Sequence, residues 1–238
     1  MPAIVSSLGM AIGELADGKV LRILLKSIAV TIMVFIAVAW AGWYAFDWLF
    51  EWLGLADSLF RGAEGIREAA SALFALLGLW LTWRVVAMAV IQFYAEDVVR
   101  AVEARHYPQQ ASAARDLSTD EQVQASLGGI LRALIANLVA LPVALTLLFT
   151  GFGPALVFWG VNAMLVGREL QDMVWLRYRQ QKAELAPVSK FERFLLGGAV
   201  AGLLALPFVN FLAPVLGAAG ATHLVHRKVG NKVEAGHA

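Results

Sequence analysis

The chain has 238 residues, 60% of them hydrophobic and only 16% charged, with a formal net charge of +1 and a mean hydropathy of +0.69. These values lie outside the range of soluble domains and describe an integral membrane protein, long enough for one membrane domain with small loops. A charge so near zero gives no bulk pull toward nucleic acid, and the lack of cysteine excludes disulfides, thiolate metal sites and cysteine nucleophiles.

Residues 1–22 form an N-terminal amphipathic segment. Its opening, MPAIVSSLGMAIGELADGKV, lacks the basic start, apolar core and small-residue cleavage site of a signal peptide, so it is expected to be retained. GELADGKV matches a phosphate loop at Gly13, Gly18 and Lys19, but Val20 stands where Ser or Thr would hold magnesium and no strand precedes it. ATP binding is therefore not expected. The first span is placed at 23–46, where Ile28–Phe46 supplies 19 uncharged residues, close to the ~20 that cross the hydrocarbon. Arg22 and Lys26 are four apart and share a helix face at its entrance. They either attract an anion together or anchor the helix by snorkelling to phospholipid. Trp40, Trp43, Tyr44, Trp48 and Trp52 gather at the other end, where aromatic rings favour the headgroup level.

An outer loop follows at 47–68, with two basic residues against five acidic. A long second helix is predicted over 69–106: Ala69–Ala95 is 27 residues interrupted only by Arg84, and the excess continues into water. Arg84 reads as a snorkelling anchor or a pathway charge. The remaining non-membrane segments hold three basic residues before the first span, three in 96–126, six in 168–193 and three in the tail. The positive-inside rule then puts both termini and the two later loops in the cytoplasm, although 96–126 carries six carboxylates.

Two further apolar runs, Ala133–Gly167 with 35 residues and Phe194–His226 with 33, are too long for one crossing. Split at their prolines and glycines, each becomes two arms of ~16 residues, ~24 Å at ~1.5 Å per residue. Read directly, they are helical hairpins that enter and leave by one face and penetrate part or all of the bilayer: hairpin 1 at 118–167, a cytoplasmic loop at 168–188, hairpin 2 at 189–226 and a tail at 227–238. The fold class is thus all-α, two full transmembrane helices plus two proline-broken hairpins.

The hairpins look like copies of one unit. STDE at 118–121 and SKFE at 189–192 are both capping boxes, in which Ser and Glu pair the orphan amides that open a helix. Each run then reaches ALP, at Pro142 or Pro207, passes Pro154 or Pro214, and closes on LVGR or LVHR, with a proline-to-proline interval of 12 residues in one copy and 7 in the other. Broken helices at repeat interfaces line transport paths, though Pro207 and Pro214 equally suit a packed re-entrant turn. Asn162 and Asn210 offer neutral amides to a substrate or to backbone freed by the breaks. Arg168 is placed to grip an oxyanion or to pair with Glu169 or Asp172. GAVAG at 198–202 allows close helix packing, within the chain or between copies. His223 and His226 lie i, i+3 with no carboxylate near them in the sequence. No metal is expected there, and no set of residues suggests catalysis.

NAMLVGRE at 162–169 and LPFVNFLAPVLGAAGAT at 206–222, with the order of spans and hairpins, resemble the CysZ sulfate permease family and its etoposide-induced-protein relatives. The sharpest likeness is Asn162 followed by Gly167, Arg168 and Glu169; Leu206–Pro207 with Asn210 is a second. The resemblance implies a bacterial inner-membrane protein that admits sulfate for cysteine synthesis without ATP hydrolysis, with no cofactor, as a homo-oligomer in lipid. The family's Gly-Leu-Arg signature before the first span, linked to sulfate binding, reads GKVLR here, with Gly18, Leu21 and Arg22 present but not contiguous. The alternative is a non-transporting membrane interaction protein of the same fold.

Overall fold

The computed structural model describes residues 2–52, 94–181, 184–206 and 209–235, and every regular element among them is helical. In chain order these are α1 (Pro2–Glu14), α2 (Gly18–Trp52), α3 (94–106), α4 (Pro108–Ala113), α5 (Thr119–Thr146), α6 (Gly153–Trp175), α7 (Lys190–Ala205) and α8 (Ala213–Ala235). Single 3-10 turns, Leu148–Thr150 and Val209–Phe211, join α5 to α6 and α7 to α8. Arg84, Pro207, most of the predicted 47–68 loop and nearly all of the second apolar run lie outside the described residues. Two compact units are present, Met1–Ile23 with Ala95–Ala238, and Leu24–Tyr94.

Among the described residues two stretches are long and apolar enough to cross a membrane, Gly18–Val38 in α2 and Thr119–Thr146, all of α5. The α2 helix starts where the Asp17 carboxylate accepts from the amides of Lys19 (2.8 Å) and Val20 (3.3 Å), and it continues beyond Phe46 to Trp52. In the smaller unit the Ser27 hydroxyl donates to the Leu24 carbonyl and Thr31 to Ser27, each at 2.7 Å, so both buried hydroxyls are satisfied within their own helix. Lys26 lies over the Tyr94 ring, its Nζ 5.5 Å from the centroid.

In the larger unit, α8 is the central helix. From Val215 to His226 every residue is buried, and small residues let its neighbours approach: Gly217 faces Leu170 and Val200, and Gly220 faces Leu8, Ala11 and Leu196. A helix covered on every side requires no polar face, which explains its apolar sequence. By contrast, α5 buries only Ala140 and Ala144 and exposes Leu127, Ile130, Leu134, Leu138 and Val139 around its circumference. Apolar side chains exposed along such a length suit a hydrocarbon surround.

Both capping boxes form. Ser118 accepts from the Glu121 amide and Ser189 from the Glu192 amide, and each glutamate reaches back to its serine's backbone N–H. The segments 118–167 and 189–226 also share the order helix, 3-10 turn, helix. They part company at their prolines. The α5 helix runs through Pro142 and ends only at Thr146, because the turn beyond is held by bonds that do not use the missing amide: Leu147 N–H and the Thr146 hydroxyl both go to the Val143 carbonyl. The reversal falls instead at Gly151, with φ 75°. In the second segment α7 stops at Ala205, and Leu206 is extended (φ −88°, ψ 125°), the conformation imposed on a residue that precedes proline.

Candidate functional site

The larger unit holds a cavity of about 660 Å³ between α5, α6 and the chain that leads from α3. Four guanidinium groups line it, with carboxylates interleaved. Arg115 makes two bonds to Glu121, at 2.7 and 2.9 Å, Arg100 reaches Asp116 at 3.3 Å, and Arg177 reaches Glu103 at 2.7 Å. Among the described residues Arg132 closes no ion pair; its guanidinium and the Glu169 carboxylate both border Gly129 at the cavity wall. Desolvation against the cavity wall raises the carboxyl of Glu169, an otherwise exposed residue, from its ordinary value; the Arg132 charge opposes this and Asp172 adds to it.

Below the cavity, Arg177 also belongs to a buried polar cluster. Glu103, its side chain 1% exposed, receives Arg177 on one oxygen and lies 3.2 Å from His226 Nε2 on the other. The Tyr107 ring stacks on His226 at 4.6 Å and Tyr178 meets it edge-on at 5.0 Å. Burial pushes the Glu103 carboxyl up, but the His226 hydrogen bond and the Arg177 charge outweigh it and hold the group below the ordinary glutamate value. The cluster continues toward α1, where Glu14 lies against His106 and His223.

The sequence-predicted residues do not converge on one point. Gly18 is exposed at the start of α2, and the Lys19 and Val20 amides next to it, which would greet an anion, are taken by Asp17. Those amide bonds, led by that of Lys19, hold the Asp17 carboxyl below its usual value, so it remains anionic. Leu21 and Arg22 are exposed, and Lys26 has its Tyr94 ring contact. Asn162 is exposed on α6 and donates to the Phe158 carbonyl of its own helix at 2.8 Å. Gly167 is buried at the crossing of α6 and α7, where its partner is Gly197. Arg168 points to Asp172, Nε to Oδ2 3.5 Å, one of the three arrangements the sequence left open for it. Glu169 alone of this set lines the cavity. Asn210 keeps its amide N–H on the Leu206 carbonyl, while its buried Oδ1 has no hydrogen-bond partner among the described residues.

Sequence reasoning missed Glu14, Glu103, His106, Arg132 and Arg177. The i, i+3 pair His223 and His226 was the one local signal, and the carboxylates that meet it come from α1 and α3. GAVAG is used inside the chain: Gly198 packs against the Trp159 indole, whose N–H donates to the Gly198 carbonyl at 3.1 Å, and Gly202 lies beside the same ring.

Described residues whose regular elements are all helices, with two apolar candidate spans among them and an exposed apolar α5, are those of a helical membrane protein. Over residues 7–214 it matches the family described as sulfate transporter CysZ/etoposide-induced protein 2.4, and it belongs to that family. No curated protein and no solved structure was found to match it.

Proposed function

We propose that this protein admits sulfate or a related oxyanion through a cell membrane, as a channel or permease that hydrolyses no ATP and needs no cofactor. Family membership over residues 7–214 carries the reading. In the proposed arrangement Arg22, with Lys26 one turn further along the sequence, Gly18 and Leu21 form a cytoplasmic mouth. The path continues past Asn162, Gly167–Glu169, Pro207 and Asn210. Fixed positive charge at a mouth draws in an anion, and backbone amides freed by helix breaks replace its hydration. The membrane is the bacterial inner membrane, both termini are cytoplasmic, the two hairpins are re-entrant, and the molecule is a homo-oligomer whose neighbouring copies seal the path.

Reconstituted protein should take up labelled sulfate above empty vesicles. Arg22→Ala should reduce that flux with no loss of folded protein, and Arg22→Lys should keep part of it, since charge survives but the forked donor geometry does not. Wild-type flux in both Arg22→Ala and Pro207→Ala overturns the pathway. A second reading, a non-transporting interaction protein, draws support from the helix packing of Gly167, the Asp172 partner of Arg168 and the in-helix bond of Asn162. Intact oligomers without uptake favour it.

A further inference from the structure

Apart from the charged cavity, α1, α3 and α8 bring Glu14, His106 and His223 together, one ligand atom from each lying within 4.8 Å of the others. Glu14 Oε1 is 2.6 Å from His106 Nε2 and 3.7 Å from His223 Nε2. The Glu14 and His223 side chains are only 6% and 1% exposed. Tyr107 Oη lies 3.0 Å from the other ring nitrogen of His223, Nδ1. A tautomer with Nδ1–H donating to that phenol leaves the lone pair on Nε2, aimed at Glu14. That buried Nε2 has no hydrogen-bond partner among the described residues, and neither has Glu14 Oε2. A buried ring nitrogen that faces a buried carboxylate without a hydrogen bond is costly, and a cation between Nε2 and that carboxylate would satisfy it.

We propose that Glu14, His106 and His223 form a Zn²⁺ site, with Nε2 of each histidine and the Glu14 carboxylate as ligands and water in the fourth position. Two imidazoles and a carboxylate are a donor set that zinc accepts. Tetrahedral zinc with bonds of about 2.0–2.1 Å sets its ligand atoms roughly 3.3 Å apart. The 2.6 Å and 3.7 Å separations must therefore open and close by less than about 1 Å, within the reach of side-chain rotation. His106, its side chain 38% exposed, supplies the entry path. The Tyr107 phenol supplies the outer hydrogen bond that ligating histidines ordinarily make. Two cations compete. Arg105, with Nη1 4.0 Å from Glu14 Oε2, is paired with Asp17, and Arg227 donates to Ser6 Oγ at 2.5 Å, so each is already engaged. Bound zinc would tie the N-terminal helix to α3 and to the central α8.

The test uses full-length protein without a polyhistidine tag, stripped with chelator in detergent and dialysed against Zn²⁺, with metal counted by mass spectrometry. We expect about one zinc per chain, a visible d–d spectrum of tetrahedral type when Co²⁺ replaces it, and a rise in melting temperature on zinc addition. His106→Ala, at the partly exposed ligand and so compatible with folding, should weaken zinc binding tenfold or more and abolish the temperature rise; His237→Ala, in the tail, should change neither. Folded wild-type protein that takes up no zinc, or His106→Ala and Glu14→Gln that bind it as wild type does, would show an unmetallated glutamate–histidine pair and overturn the site.

Discussion

A Cβ on Gly197 would lie 2.0 Å from the Ala163 carbonyl oxygen, and one on Gly167 would lie 1.9 Å from that of Arg193. Both clashes are with backbone, so no rotamer change relieves them and α6 and α7 must separate. Gly197→Ala is expected to cost about 3 kcal/mol, measured as a lowered melting temperature in detergent. Gly160→Ala, on the same α6 but with no heavy atom within 4 Å, should leave it unchanged or slightly raised. Equal melting of the two variants would contradict the crossing. Glu103 makes a second residue-scale prediction. Its folded pKa lies below the ordinary value, so the stability it contributes is present above that value and is lost as pH falls through the folded pKa. Glu103→Gln leaves Arg177 without its counter-charge and should cost about 3 kcal/mol near neutrality. That deficit should shrink in acid, as pH falls below the ordinary glutamate value and then through the lower folded pKa, where the wild-type carboxyl also takes up its proton. A deficit constant from neutral to acid pH would show that the charge of Glu103 is not what the cluster uses.

At the scale of elements, the starts of α5 and α7 were legible because a capping box is written in four consecutive residues and answers a local need, the orphan amides of a first turn. Ser118→Ala and Ser189→Ala should each lower stability by about 1 kcal/mol and speed amide exchange in the first turn of α5 and of α7 respectively. Unaltered exchange at those turns would mean the tertiary contacts alone hold the helix starts. The ends of the helices were less legible. Proline weakens a helix, but whether it ends one depends on the bonds available around it. Pro142 sits within a helix whose next turn finds other acceptors, whereas α7 stops just short of Pro207. One residue type in the same tripeptide thus has two outcomes, and nothing in the tripeptide distinguishes them.

At the scale of the molecule, hydropathy alone identified a membrane protein, since burial of so many apolar residues in so short a chain calls for lipid. The polar clusters were not legible. Glu103 meets His226 across 123 residues of chain, and Glu14 meets His223 across nearly the whole of it. Such pairs are set by how α1, α3 and α8 pack, not by any spacing. The predicted orientation is testable at this scale: single cysteines at Ser58 and Ser112 in intact cells should label from opposite sides with a membrane-impermeant reagent. Ser112 is in α4 and Ser58 lies outside the described residues. Labelling of both from one side would reverse the assignment built on Lys and Arg counts.

The turn at Gly151 has a consequence for chirality. No heavy atom lies within 4 Å of where its Cβ would be, so the reversal between α5 and α6 has room for a side chain. What it lacks is the right hand: φ of 75° is strained for an L residue and natural for its mirror image. The link between these two helices is thus limited by backbone conformation rather than volume, and Gly151→Ala is expected to be costly although nothing obstructs its methyl.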